Sequence, residues 1–399
     1  MKSSVIGIGG YGWKHVETLL NLEEKGIVAF DCFCEISTDR NAEYIDLLVG
    51  KGKRHYLDYV EMFEKEDLDI VGIPCPIHLH KPMLIKALEY GINVMLEKPP
   101  CVAIQDYNEM YQMVEKSGKL CAVGFQGVLS AEFINVCKMI EDGVIGKVKY
   151  ISGIGCYRRP DKYYTRNNWS GKKMVNGAYV MDGTMNNPLS HLLNNCLYLA
   201  SGKVNKAAMP KEVTGELYRA NDIECEDTDS VRIITENGVE INYYVTACSD
   251  VETGHYIKIV GEKGEIFPSE LGGFILKIGN QEERFVVNED KEDLVYKNFL
   301  NLINCVQGKE KVLISDLKES KAFVLASNGA YLSAGDVKKI PAMHTKIVEE
   351  GESKVIEVNN IRGIFKEAAD KNLLLSENGV EWAVPSKPYN IEGLEEFNI

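Results

Sequence analysis

The segment SVIGIGGYGWKHVETLL, residues 4 to 20, narrows the choice of folds more than any other stretch. An apolar, strand-like run leads into glycines at 7, 9, 10 and 12, and Val16, Leu19, Leu20 and Leu22 then recur at roughly helical spacing until Gly26. Gly7, Gly9 and Gly12 occupy the G-x-G-x-x-G positions between a predicted strand and a predicted helix. That context allows a tight turn, close approach of backbone to a pyrophosphate, and phosphate binding at a helix N-terminus. With Gly10 and Tyr11 inside the loop, Gly7, Gly9, Gly10, Tyr11 and Gly12 form the candidate dinucleotide cradle.

The following hundred residues keep the rhythm of strand and helix. IVAFDCFCE, LDIVGIPCP, INVMLEK and KLCAVGFQ read as strands, separated by helix-like segments such as LHKPMLIKALEYG and DYNEMYQMVEKSG. Residues 1–123 are therefore expected to form a doubly wound parallel α/β sheet, a Rossmann dinucleotide-binding domain. Glu35 ends the second strand, where a carboxylate accepts hydrogen bonds from both ribose hydroxyls of NAD and repels a 2′-phosphate. NAD is favoured on that ground, while Arg40, a few residues on, leaves NADP open as the lesser alternative.

From about residue 145 the pattern changes to long alternating strands. KVKYISGIGCY opens them, Asn237-Gly238 marks a two-residue hairpin, and YIKIVGEKGEIF and ILKIGNQEERFVV follow. Helical segments are expected from Asp290 and Asp316. Residues 124–399 thus read as an α+β domain, an open and largely antiparallel sheet with helices on one face.

Composition narrows the partners. A formal charge of −14 over 399 residues argues against nucleic acid or an anionic membrane. Eleven cysteines, an odd number without C-x-x-C spacing or a cysteine–histidine cluster, suggest reduced thiols and no metal. MKSSVIGIGG has no apolar signal region, and no run of about 18 apolar residues occurs. A cytoplasmic protein acting on a small polar molecule is the expectation.

GINVMLEKPPCV, residues 91 to 102, drives a buried-type strand into Glu97, Lys98 and two prolines. Pro99 and Pro100 cannot donate to a continuing ladder, so the charged pair belongs at the strand's carboxyl end, where ligands of open α/β sheets bind. An ammonium desolvated there can have its pKa lowered and take part in proton transfer.

The fingerprint at 7–12, PCPIHLHKPMLIKALEYGINVMLEKPP at 74–100, and VGFQ followed by MIEDGVIGKVKYISG together resemble the Gfo/Idh/MocA family, the glucose-fructose oxidoreductase and inositol dehydrogenase group. The resemblance covers nearly all of residues 1–155. It implies that Lys98 lies beside the nicotinamide and the reacting sugar carbon, with Glu97 holding Lys98 or the cofactor. It also implies that Pro74, Cys75, Pro76 and His78 line the cofactor, and that Gln126 stands where the family often has asparagine. His80, at a helix start, reads as structural.

The second half departs from the family's G-x-x-x-D-x-G-x-H-x-x-D segment, reading GAYVMDGTMNNPLSHLLNNCLYLASG at 177–202. Aligned forward from Asp182, Asn186 falls on the histidine position. Aligned backward from Gly202, His191 does, and Asn194 stands near the last acid. The second register makes His191 and Asp182 catalytic candidates beside Lys98, with Asn187, His191 and Asn194 or Asn195 on one helical stripe and Asn186 and Asn187 as substrate contacts. Upstream, CYRRPDKYYTRNNWSGKK offers Arg159, Tyr163, Tyr164, Arg166 and Trp169, aromatic faces and planar donors suited to a sugar.

The leading expectation is an NAD(H)-dependent oxidoreductase acting on a hydroxyl of a sugar, polyol or glycoside. One alternative is an NAD-dependent glycoside hydrolase that oxidises, eliminates and reduces in turn; another is a non-catalytic dinucleotide sensor. Resemblance further implies a homodimer or homotetramer.

Overall fold

Apolar strands buried on both faces need helices on either side, and the first part of the chain is built that way. The computed structural model describes residues 1–287 and 293–399. They divide into two compact units, the first made of Met1–Cys101, Gln105–Ser130 and Asp290–Ser320, the second of Val102–Ile104, Ala131–Glu289 and Lys321–Ile399.

The first unit carries a parallel six-stranded sheet of β1 (Lys2–Ile6), β2 (Ala29–Cys34), β3 (Arg54–Tyr56), β4 (Ile70–Ile73), β5 (Asn93–Leu96) and β6 (Cys121–Val123), in the order β3-β2-β1-β4-β5-β6. The order reverses beside β1, between β1 and β4, the switch point at which such sheets open a crevice at their carboxyl ends. Helices α1 (Gly12–Glu24), α2 (Ala42–Gly50), α3 (Tyr59–Lys65), α4 (His80–Glu89) and α5 (Ile104–Ser117) connect the strands. β3 was not anticipated, because its three residues, Arg-His-Tyr, carry no apolar run.

One boundary differs from the sequence division at 123. The helix Leu294–Val306 belongs to the first unit, where Val295, Tyr296, Phe299, Leu302 and Ile303 share a core with Val5, Ile8, Val16, Leu19 and Phe33. Pattern alone cannot say which core an amphipathic helix joins. The start expected at Asp290 lies outside the described residues; the described helix is capped by Asp293, whose carboxylate accepts the Val295 N–H at 2.7 Å. The helix expected from Asp316 begins as a short 3₁₀ turn, Leu317–Ser320, and continues as Lys321–Ala334.

In the second unit, α6 (Ala131–Glu141) precedes β7 (Val148–Arg158), α7 (Asp161–Thr165), a small hairpin of β8 (Met174–Val175) and β9 (Ala178–Tyr179), and α8 (Ser190–Ser201). The main sheet runs β16-β15-β14-β13-β7-β12-β11-β10, from β10 (Pro210–Arg219), β11 (Thr228–Thr235), β12 (Glu240–Thr246), β13 (Cys248–Gly261), β14 (Glu265–Pro268), β15 (Phe274–Ile278) and β16 (Gln281–Phe285). All these pairings are antiparallel except β12 with β7. Asn237-Gly238 turns the β11–β12 hairpin, with Gly238 at φ +81°.

Gly153 and Gly155 on β7 let α8 lie close. A Cβ at 153 would come 2.8 Å from Cys196 Sγ, and one at 155 would come 2.7 Å from Leu189. Helices pack on both faces of this sheet, not one. Tyr243 points to the α8 side and donates to the Leu189 carbonyl at 3.0 Å, while its neighbour Tyr244 packs on Phe365 of the helix Ile361–Lys371. Cys156, Tyr218, Tyr244 and Cys248 make that second face apolar enough to need the cover.

Candidate functional site

In the first unit the glycine loop is shaped by what surrounds it. Gly7 and Gly10 adopt φ of +84° and +56°, which favour glycine. A Cβ on Gly12 would overlap the Gly7 carbonyl, and one on Gly9 would come 2.8 Å from the Asn41 amide. At Gly10, by contrast, no described atom lies within 4 Å of a Cβ. The loop is tight on its inner side and presents bare backbone on the other.

Glu35 is buried and pinned beside this loop. Its carboxylate accepts the Ile8 N–H at 3.0 Å and the Ser37 N–H at 2.7 Å. A bare glycine turn with a fixed acid at the end of β2 fits a dinucleotide. Arg40 is exposed.

The other residues assigned to the cofactor gather at the same place. Pro74 and Cys75 pack under the loop, with Pro74 Cγ 3.3 Å from a Gly12 Cβ and Cys75 Sγ donating to the Ile6 carbonyl at 3.1 Å. Burial pushes the Cys75 thiol far up, so it stays protonated. Tyr11 and Gln126 meet, the Gln126 amide donating to the Tyr11 hydroxyl at 3.1 Å. Burial and the nearby Glu97 charge raise the Tyr11 phenol. Pro76 precedes the 3₁₀ turn Ile77–Leu79, and burial lowers the pKa of His78 within it.

His80 joins the 74–76 loop to the Lys98–Pro100 turn. Nδ1 faces the carbonyls of Pro99 and Pro100 at 3.0 and 3.2 Å, and Nε2 faces that of Cys75 at 2.7 Å. Its expected structural character matches these contacts.

A further residue was missed. His15, on the inner face of α1, meets Glu97 with Nε2 3.0 Å from Oε1, while Glu97 Oε2 accepts the Lys98 N–H at 3.1 Å. The His15 side chain is 1% exposed and that of Glu97 10%, so the pair is shielded from solvent. Gly72 and Gly124 leave room for it: a Cβ on the first would come 2.8 Å from His15 Nδ1, and one on the second 2.7 Å from Glu97 Oε1. The only sequence sign was a histidine in register with the buried Val16 and Leu19 of α1. Lys98 is half-buried, and its bond to Pro99 is cis.

The second unit holds the remaining candidates. Around α7 the Arg166 guanidinium stacks over Tyr163 at 3.7 Å and lies 5.3 Å from Trp169, while Arg159 lies 4.6 Å over Tyr157 and 5.5 Å from Tyr163. Tyr164 meets Tyr163 edge-on at 5.2 Å. Arg159 also pairs with Glu252 at 2.9 Å.

Asp182 is buried at the centre of this group. Its carboxylate accepts the Gly171 N–H at 2.9 Å and the Asn187 amide at 2.6 Å, and lies 3.7 Å from Arg166. Asn186 accepts the Ser327 hydroxyl at 2.8 Å. His191 is half-buried in the first turn of α8. Asn187 is not on that helix, contrary to the expected stripe. Pro188 follows it, and its carbonyl takes the Ser190 hydroxyl at 2.9 Å just before the helix starts. Asn194 is buried within α8 and Asn195 half-buried.

Among the described residues no cluster of histidine, cysteine or acidic side chains could hold a metal ion, and no helix is long and apolar enough to cross a membrane.

Residues 1–125 match the family model of oxidoreductases with an NAD-binding Rossmann fold, and residues 133–267 match the GFO/IDH/MocA C-terminal domain. The 2,7-anhydro-N-acetylneuraminate hydratase of Mediterraneibacter gnavus is 29% identical over 251 residues, covering 59% of this chain and 61% of the hydratase. Glycosyl hydrolase family 109 protein 1 of a Shewanella species is 28% identical over 147 residues, 36% of this chain and 32% of that protein. The chain thus spans less than two thirds of the hydratase and about a third of the glycosyl hydrolase. The WlbA dehydrogenase of Chromobactrium violaceum, solved with NADH and UDP-GlcNAcA, superposes with a TM-score of 0.70 at 22% identity over 84% of this chain and 94% of that one. That likeness is one of fold. With both family models matched along its length, the chain belongs to the Gfo/Idh/MocA oxidoreductase family.

Proposed function

We propose that this protein is an NAD(H)-dependent oxidoreductase acting on a hydroxyl of a sugar, polyol or glycoside. The observation that supports it best is the His15–Glu97–Lys98 chain of contacts. Through it, the helix that follows the glycine fingerprint is tied to the turn that carries the one half-buried lysine at the end of β5.

A bound nicotinamide would supply the acceptor or donor of the hydride. Glycines 7, 9, 10 and 12, with Tyr11, would hold the pyrophosphate side, Glu35 would take the ribose hydroxyls, and Pro74, Cys75, Pro76, His78 and Gln126 would line the rest. Glu97, fixed by His15, orients the backbone at Lys98, whose amine takes the proton of the substrate hydroxyl or returns it. His191 is the second candidate for that proton. Arg159, Tyr163, Tyr164, Arg166 and Trp169 supply stacking faces and planar donors to the sugar, with Asn186 and Asn187 as neutral contacts. Asp182 already receives two donors and neighbours Arg166, an arrangement better suited to holding those groups than to carrying protons.

A second reading is favoured by the glycosyl hydrolase and hydratase relatives, in which the same residues would serve a cycle without net oxidation. The test is a panel of sugars, polyols, sugar acids and glycosides, followed by absorbance at the NADH maximum and by product chromatography. Net NADH formation supports the oxidoreductase. Bond cleavage or hydration without net NADH replaces it with the second reading, and tight dinucleotide binding with no turnover on the whole panel sinks both.

A further inference from the structure

The segment carrying Asp182, Asn186 and Asn187 is a run of turns, with the Asn187 N–H on the Gly183 carbonyl at 3.1 Å and the Leu189 N–H on that of Thr184 at 3.0 Å, and the N–H groups of Thr184 and Met185 need partners elsewhere. Both find them on an acid from outside the sequence candidates. Glu226 is fully buried just before β11. Its carbonyl accepts the Thr184 N–H at 3.2 Å, its Oε1 accepts the Met185 N–H at 3.1 Å, and its Oε2 accepts the Tyr331 hydroxyl. Gly183 lies so close that a Cβ there would overlap the Glu226 carboxyl. Ser327, one turn before Tyr331 on the same helix, supplies the bond to Asn186.

We propose that Glu226 is a positioning residue: braced by Tyr331 and packed on Gly183, its carboxyl group clamps the Met185 N–H while its carbonyl holds that of Thr184, and so sets where Asp182, Asn186 and Asn187 present their side chains. This rests on the reading of 182–187 as a substrate-holding segment.

The neighbouring acids give the clamp a dependence on protons. Asp227 receives the N–H groups of Ala220 and Asn221, the Asn221 amide and the Thr228 hydroxyl, a set suited to a carboxylate. Asp229 is as deeply buried, and among the described residues neither of its oxygens has a hydrogen-bond partner. An uncompensated buried charge is far costlier than a neutral acid, so Asp229 keeps its proton. Burial also raises Glu226, to about 7, with the Tyr331 bond opposing the rise and the Asp227 charge adding to it. The other titratable groups around the pair are Tyr331, Tyr243 of β12 and Cys225, with Asp182 and Lys173 beyond Cys225. As pH rises past neutrality, charge on Glu226 faces Asp227 and the reluctant Asp229, and the segment it holds is released.

Hydrogen–deuterium exchange on the cofactor-free protein reads the clamp without any substrate. After correction for intrinsic rates, protection of the Met185 amide should fall by about tenfold or more between pH 6 and pH 8.5 in the wild type, one pKa unit corresponding to tenfold. In Glu226→Gln it should stay within about twofold across that range. Glu226→Ala should lose protection at both pH values, with a cooperative melt by circular dichroism and unchanged exchange of the β10–β12 amides reporting that the second unit is folded; if that variant does not fold, the glutamine variant alone decides. Protection in the wild type that ignores pH, or a glutamine variant as pH-sensitive as the wild type, overturns the proposal. With a sugar that reduces NAD in hand, Glu226→Ala should raise KM about tenfold with little change in kcat, and glutamine should restore KM. Failure to find such a sugar counts against the oxidoreductase reading and leaves the exchange result to judge the clamp.

Discussion

Replacing Glu35 by glutamine tests how this chain chooses between dinucleotides. The carboxylate cannot swing aside without stranding the Ile8 and Ser37 N–H groups that it accepts at 3.0 and 2.7 Å. A 2′-phosphate brings about −1.5 to −2 charge, and two unit charges about 4 Å apart repel by about 4 kcal/mol at an effective dielectric near 20. Solvent, salt and the exposed Arg40 reduce this, so the net discrimination expected is about 1–3 kcal/mol, or about 5- to 150-fold in favour of NAD. Glutamine removes the charge and turns an amide NH₂ towards one of the two N–H donors, at a cost of about 1–3 kcal/mol in loop order. Both nucleotides should therefore bind more weakly to the variant, while the ratio between them closes to within about threefold. Calorimetric titration of NAD and NADP at low and high salt measures all four affinities. Wild-type protein that binds NADP as tightly as NAD, or a variant that keeps the wild-type ratio, refutes the reasoning.

Lys98→Met should retain NAD binding and lose about 100-fold or more in turnover, as seen by calorimetry beside steady-state rates; wild-type turnover would leave Lys98 a structural residue. Gly12→Ala, whose Cβ would overlap the Gly7 carbonyl, should abolish NAD binding while the second unit keeps its fold, which a binding titration and circular dichroism together report. His15→Leu leaves Glu97 buried without its ring partner, so stability should drop by about 1.5–3 kcal/mol in denaturant titration, with partial recovery when Glu97→Gln is added. For Glu226, whose pKa is raised in the folded chain, the unfolded chain gives up its proton first as pH climbs. The fold's relative stability is thus complete below the ordinary carboxylate range and declines up to about 7. The melting temperature of Glu226→Gln relative to wild type should accordingly be higher at pH 8 than at pH 5.

Local chemistry made the first sheet readable. A strand, three glycines at fixed spacing and a helix leave few alternatives, and Glu35, Cys75 and Gln126 fall beside the loop because strand ends in a parallel sheet converge there. His15 was less legible, since a histidine in register with Val16 and Leu19 looks the same whether it meets a carboxylate or merely fills the core. Asn187 was misplaced because helical spacing was extended through Pro188, where the chain still turns. Glu226 could not be found by pattern at all. Its partners Met185 and Tyr331 lie 41 and 105 residues away in the chain, and only the folded sheet brings the three together.

The helix Leu294–Val306 also bears on how the protein is made. Synthesis runs from the amino terminus, and sequential domains usually fold as they leave the ribosome. Here the six strands of the first unit emerge early, yet the patch of Val5, Ile8, Val16 and Phe33 that should close over them waits for Phe299 and Leu302, more than 160 residues after β6. Until then nascent chains carry that apolar patch uncovered while the whole second sheet is translated. A stop codon after residue 130 would leave the patch uncovered for good, so a dinucleotide-binding fragment cut there should aggregate unless residues 293–320 are supplied alongside it.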